Sequence, residues 1–170
     1  MDAPRYRDWQ SPVGTLRLVS EGDRFTRLLL PQRRQRGTLV PLPASAEGWL
    51  RDTGLLAPAI AQLAAYFAGE LREFDLDDFG QPLHLAGTEF QRSVWQGLLD
   101  IPWGHTCSYG ELAKRIGRPA AMRAVGAANG ANPVAIIVPC HRVIAADGSL
   151  HGYGGGLALK QRLLALEQAA

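Results

Sequence analysis

The spacing of apolar positions divides the chain into a strand-like opening and a helix-rich remainder. Thr15-Leu16-Arg17-Leu18-Val19 alternates apolar with polar side chains, as a half-buried strand does. Glu21-Gly22-Asp23 supplies a turn, and Phe25 to Leu30 reads as the returning strand, so a hairpin is expected. Residues 31–48 carry three prolines and three arginines without a period and read as a loop. Leu56, Ile60, Leu63 and Phe67 recur at helical spacing, and Gly69 is a stop signal. Residues 75–87, rich in Asp, Gly and Pro, read as a linker.

Helix signals crowd the second half. Thr88-Glu89-Phe90-Gln91 is a capping box, in which the hydroxyl accepts from a backbone N–H and the Gln reaches back. Phe90, Val94 and Leu98 follow on one face, and Ile101-Pro102-Trp103-Gly104 ends that helix. Ser108-Tyr109-Gly110-Glu111 is a second capping box, opening a short helix that Gly117 closes. Pro119 starts another, from Ala120 to about Asn129. Two short helices joined by Gly-Arg-Pro have the form of a helix-turn-helix. Val134 to Val138, apolar and rich in β-branched residues, reads as a buried strand that Pro139 ends. A glycine-rich loop at 152–156 precedes a last helix from Leu157, with Leu159, Leu163 and Leu166 on one face and Glu167 beside them. The expected fold class is therefore α+β. A small N-terminal domain of hairpin or sheet plus helix (1–85) precedes a mainly helical, winged-helix-like domain (86–170) that carries the helix-turn-helix.

Composition narrows the class without naming a function. With 46% hydrophobic and 20% charged residues the chain can bury a core. No apolar run approaches the roughly 20 residues of a membrane span, and the first ten residues lack the apolar core of a secretory signal; the cytoplasm is expected. Cys107 and Cys140, the two cysteines, make neither a disulfide framework nor a zinc site, since no C-x-x-C or matching histidine spacing occurs. No metal is expected. Net charge is only +2, but 109–142 holds five basic residues (Lys114, Arg115, Arg118, Arg123, Arg142) against Glu111. Such a stretch suits a polyanion, and equally a solvated helix face. The helix holding Arg123 is otherwise almost all small residues. It suits tight core packing, or close approach to a groove with one long cation presented.

Candidate chemistry centres on Cys140-His141-Arg142 at the mouth of the apolar run. An unassisted thiol is only a few per cent ionised at neutral pH, so a nucleophile needs a base or a cation beside it. A small buried hydrophobe is the alternative use of Cys140. Neighbouring side chains on an extended segment point apart, so Cys140 and His141 need a bend or a bridging water to cooperate. A third group would orient the imidazole; Glu167 is the best-placed carboxylate, its other reading being a solvated helix residue.

The run Ile136 to Ile144 resembles the active-site signature of the methylated-DNA–protein-cysteine methyltransferases, also called 6-O-alkylguanine-DNA alkyltransferases. Ser108-Tyr109-Gly110-Glu111, Arg123-Ala124-Val125-Gly126, Asn132-Pro133, Gly152 to Gly156, Leu163-Leu164 and Glu167 extend the resemblance over 88–170, and more weakly into the first half. The resemblance implies direct repair of DNA: an irreversible, single-turnover transfer of a methyl or larger alkyl group from the 6-oxygen of guanine, with the 4-oxygen of thymine as a further candidate, to Cys140. His141 would take the thiol proton through a water, Glu167 orient the imidazole, and Asn132 hold the strand and loop around the site. Tyr109 and Arg123, with Ala124 and Gly126 on the same helix, would serve base flipping from the minor groove of double-stranded DNA. Tyr153, Gly154 and Val143 would line the base pocket. No cofactor is implied, and the protein would be a monomer in solution, with several copies able to load on DNA. Some relatives carry zinc in the first half; here that half has no cysteine. Cys107 is expected to be a bystander.

Three rivals remain at this point. A non-catalytic alkylated-base binding protein would lack Cys140. A helix-turn-helix regulator would need polar side chains for base edges, which the alanine-rich helix does not supply. A cysteine hydrolase is disfavoured by the Cys-His adjacency.

Overall fold

A computed structural model of the chain describes residues 2–44, 46–52 and 54–168. The first half is built on a sheet of β1 (Arg5–Ser11), β2 (Gly14–Glu21), β3 (Arg24–Leu29) and β6 (Leu50–Arg51), in the order β3-β2-β1-β6. β2 and β3 form the expected antiparallel hairpin. β1 carries too many polar residues to show a strand period, yet it pairs with β2 along its whole length. β2 is covered on both faces rather than half-buried. Arg17 is only 2% exposed, and its guanidinium clamps Asp8 of β1 at 2.7 and 2.9 Å and donates to the Pro43 carbonyl. A buried cation is tolerable because it is paired with a carboxylate and hydrogen-bonded.

Residues 31–48, expected as a loop, instead hold a second hairpin, β4 (Gln32–Gln35) and β5 (Thr38–Pro41). Its two-residue turn places Arg36 and Gly37 at φ 50° and 81°, the positive-φ pair of a tight hairpin. The strands are largely exposed, so no buried face imposes an alternation that sequence could display. Ser45 of this segment lies outside the described residues.

Helix α1 (Ala57–Phe67) buries Ala59, Leu63 and Tyr66, a stripe rotated from the one the spacing suggests; Ile60 and Phe67 are partly buried. The segment read as a linker is pinned to the outer edge of β3: Phe25 N donates to Pro82 O and His84 N to Phe25 O, both at 2.9 Å. Further along the same edge, Leu28 N donates to Pro133 O at 2.9 Å. The edge strand is thus covered, and the segment leading to Cys140 is tied directly to the sheet. One continuous core runs through Leu16, Phe25, Leu63, Trp95, Val125, Val134 and Cys140.

In the second half, α2 (Glu89–Leu99) opens with both halves of the capping box at Thr88. β7 (Cys107–Ser108) pairs in parallel with β8 (Val143–Ile144). α3 (Tyr109–Arg115) begins with Glu111 N donating to Ser108 Oγ, and packs against α4 (Met122–Gly130) across the turn at 116–121. α5 (Leu157–Gln168) closes the chain and buries Leu159, Lys160, Leu163 and Glu167. Two charged residues on the inward stripe of a terminal helix mark the place where the site lies.

Candidate active site

Val134 to Val138 is a folded-over turn and not the expected strand. Val138 N donates to Val134 O, and Ile137 N reaches back to Ala135 O, closing a three-residue turn about Ile136 at φ 73°. A β-branched residue in this region is strained, at a cost of about 1–3 kcal/mol. Asn132 holds the turn at both ends: Oδ1 accepts from Val134 N at 3.0 Å and Nδ2 donates to Val138 O at 2.7 Å. Pro139 then adopts φ −82°, ψ 64°, and Cys140 N donates to Val138 O, a second tight turn. A 3-10 turn over Cys140–Arg142 follows. This is the bend the Cys-His adjacency called for, and it lets successive side chains leave in different directions.

His141 and Arg142 both converge on Glu167. Its Oε1 accepts from Arg142 Nε at 2.8 Å; Oε2 accepts from His141 Nε2 at 2.8 Å, Arg142 Nη2 at 2.9 Å and Tyr66 Oη at 2.7 Å. Arg142 also donates to Ile101 O. Burial pushes the Glu167 carboxyl up, but the bonds from His141 and Arg142 outweigh it and hold the group at about 2. An ionised carboxylate can only accept, so the proton of a neutral His141 sits on Nε2 and the lone pair on Nδ1. Burial lowers the imidazole below its ordinary value against the pull of Glu167, which keeps it neutral. Nδ1 is buried and has no hydrogen-bond partner among the described residues. It is a buried acceptor left free on the residue that follows the cysteine.

The Cys140 side chain faces elsewhere. It is 6% exposed, and burial pushes its thiol up; the Asn132 amide, the Lys160 ammonium and the Tyr153 hydroxyl act in the opposite direction. Lys160, fully buried, donates to Val143 O at 2.6 Å and His151 O at 3.1 Å, closing the excursion between them. Tyr109 lies near enough for the Cys140 charge to affect its phenol, after burial the larger influence. A Cβ on Gly126 would stand 3.8 Å from the Tyr109 ring, so α4 passes the phenol at van der Waals contact. Val143 is fully buried in β8.

The glycine loop is held from the first half of the chain. Arg34 N donates to Gly154 O at 2.8 Å, and Gln32 Nε2 to Gly155 O at 3.0 Å. Gly155 has no room for a side chain: a Cβ there would stand 2.7 Å from Leu30 and 2.8 Å from Leu159. Arg123 and Ala124 lie on the exposed face of α4 with Met122, and among the described residues Arg123 has no partner. Cys140, His141, Glu167, Asn132, Tyr153 and Tyr109 therefore meet, while Arg123 and Ala124 stand outside on the surface. Lys160 and Tyr66 carry no motif that singles them out, although Lys160-Leu163-Glu167 does fall on one helical stripe. Cys107 is buried and its thiol donates to Ser108 O at 3.4 Å. Among the described residues no group of three His, Cys, Asp or Glu could hold a metal ion, and no helix is long and apolar enough to cross a membrane.

A buried thiol among Asn132, Lys160 and Tyr153, followed in the chain by an imidazole that a carboxylate orients, has the make-up of a nucleophilic cysteine site. Comparison with known families makes the class specific. Residues 5–77 match the ribonuclease-like domain of 6-O-methylguanine DNA methyltransferase, and 89–169 match its DNA binding domain. A methylated-DNA–protein-cysteine methyltransferase of Mycobacterium leprae is 51% identical over 95% of this chain and 91% of its own length. One from Methanosarcina acetivorans is 46% identical over 95% and 97%. The crystal structure of Mycobacterium tuberculosis OGT in complex with DNA superposes with a TM-score of 0.83 at 50% identity, covering 97% of this chain and 93% of that one. The chain belongs to the 6-O-methylguanine DNA methyltransferase family.

Proposed function

We propose that this protein reverses DNA alkylation directly, moving a methyl or other alkyl group from the 6-oxygen of guanine to the sulfur of Cys140. The observation that carries the reading is the His141 imidazole, held by Glu167 through Nε2 so that an unpartnered Nδ1 remains on the residue next to Cys140. His141 takes the thiol proton through a water, leaving a thiolate in a site whose Lys160 cation favours it. Sulfur attacks the alkyl carbon, the carbon–oxygen bond breaks, and guanine departs with the electron pair and takes up a proton. The product is a thioether. Water does not hydrolyse it and thiol exchange does not open it, so each molecule acts once.

The target atom lies inside a duplex, and the nucleotide has to be taken out of the stack. Arg123, with Ala124 and Gly126 allowing close approach, enters from the minor groove and fills the space left behind. Tyr109 turns the phosphate and meets the extruded base, and Tyr153, Gly154 and Val143 line its pocket. Residues 86–170 carry this chemistry, and 1–85 support it. The protein acts as a monomer in the cytoplasm, several copies loading on one DNA, and 4-O-methylthymine is a candidate second lesion. The test is a duplex with a single 6-O-methylguanine. Restoration of guanine together with one methyl gained by the protein supports the reading; an unchanged protein mass with the lesion intact overturns it.

A further inference from the structure

Packing fixes only part of the glycine loop. Gly155 is wedged between Leu30 and Leu159, but nothing stands within 4 Å of a Cβ placed on Gly154. A cavity of about 640 Å³ opens beside Gly154, lined also by Leu30, Gln32, Asn132 and Ala135. Glycine loses more conformational freedom on folding than any other residue, so three in a row next to open space need hydrogen bonds to set their peptide planes. Those bonds come from β4. Arg34 N takes the Gly154 carbonyl, and Gln32 Nε2 takes that of Gly155, 123 positions along the chain. A Cβ on Gly156 would stand 3.3 Å from Gln32 Nε2, so the amide lies directly against this peptide.

A trans peptide unit is planar, so its C=O and N–H point in opposite directions. The Gly155 carbonyl and the Gly156 N–H belong to one such unit. Gln32 Nε2 donates to the carbonyl at 3.0 Å, and the N–H donates to Tyr153 O at 2.9 Å. The Gln32 amide thus holds one side of a plane whose other side closes the turn at Tyr153. Tyr153 is 6% exposed, and its hydroxyl is among the groups that act on the Cys140 thiol against its burial. We infer that Gln32 is a positioning residue: through the Gly155–Gly156 peptide it sets Tyr153 against the Cys140 sulfur for alkyl transfer. The inference rests on the alkyl-transfer reading above, and it gives the first half of the chain a part in the transfer step.

The experiment follows single-turnover transfer from a duplex carrying 6-O-methylguanine over a range of duplex concentrations, for the full chain and for Gln32→Leu and Gln32→Glu. Leu keeps the bulk and loses the donor. Glu keeps the shape and sets an acceptor against the Gly155 carbonyl. The rate at saturating duplex should fall about three- to tenfold in Gln32→Leu, the scale of one hydrogen bond, and at least as far in Gln32→Glu, while the half-saturating concentration stays within about twofold of wild type. Rates are referred to the folded fraction, measured by urea unfolding in the same buffer, so a loss of stability does not enter. Saturated rates unchanged in both variants overturn the inference. A deficit that lies wholly in the half-saturating concentration also overturns it, since Gln32 would then serve DNA binding and not the transfer step. A wild type that leaves 6-O-methylguanine unrepaired is a different outcome and overturns the transfer reading itself.

Discussion

Glu167→Gln removes the charge on which three side chains converge while keeping the shape. The carboxylate accepts four hydrogen bonds, two from Arg142 and one each from His141 and Tyr66, and its side chain is 1% exposed. Holding a carboxyl at about 2 rather than its ordinary 4.5 corresponds to about 3 kcal/mol in favour of the folded state at neutral pH. The amide also turns an N–H₂ group toward donors and leaves Arg142 without its counter-ion, so the total loss should be about 3–5 kcal/mol. The sign of the pH dependence is fixed by the depressed value. The wild-type stabilisation is fully present above about 4.5 and is lost as pH falls toward 2. The gap between wild type and Glu167→Gln in urea unfolding should therefore be widest at neutral pH and narrow steadily below about pH 4.5. A gap under about 1 kcal/mol at neutral pH, or one that stays constant down to about pH 3, would refute this reasoning.

Other perturbations address separate parts of the site. Tyr66→Phe deletes one buried donor to the same carboxylate, and equilibrium unfolding should register a loss of about 1.5–3 kcal/mol; a change below about 0.5 kcal/mol would show that the phenol contributes only packing. Because burial lowers His141, the neutral base persists into acid, and the transfer rate should stay level as pH falls through about 6.5, declining only below it. A decline centred on 6.5 would mean that His141 is solvated and unperturbed. Arg123→Ala should slow transfer from duplex by at least about tenfold, the scale of an unstacking cost of a few kcal/mol, yet barely alter repair of the free base. Equal slowing on both substrates would remove Arg123 from base flipping.

What was legible in the sequence follows from how each feature is encoded. The β2–β3 hairpin, α2 with its capping box and the pairing of α3 with α4 rest on local patterns and stand where expected. Val134–Val138 misled because a buried turn and a buried strand are equally apolar; the distinction lies in Ile136 at φ 73° and in the Asn132 side chain that stabilises it. The β4–β5 hairpin hid because its strands are exposed. Glu167 could be named from the sequence as the best-placed carboxylate but not separated from a solvated helix residue, since its partners lie 25, 26 and 101 positions away in the chain. Tyr66 stayed silent for the same reason: the contact that gives it meaning is tertiary.

Peptide mass spectrometry after exposure to an excess of duplex containing 6-O-methylguanine tests the central claim most directly. The account predicts one methyl per protein molecule, located on Cys140 and not on the buried Cys107, with repair stopping when every molecule carries it. Repair that continues past one lesion per protein, a methyl on any residue other than Cys140, or undiminished repair by Cys140→Ser would contradict it.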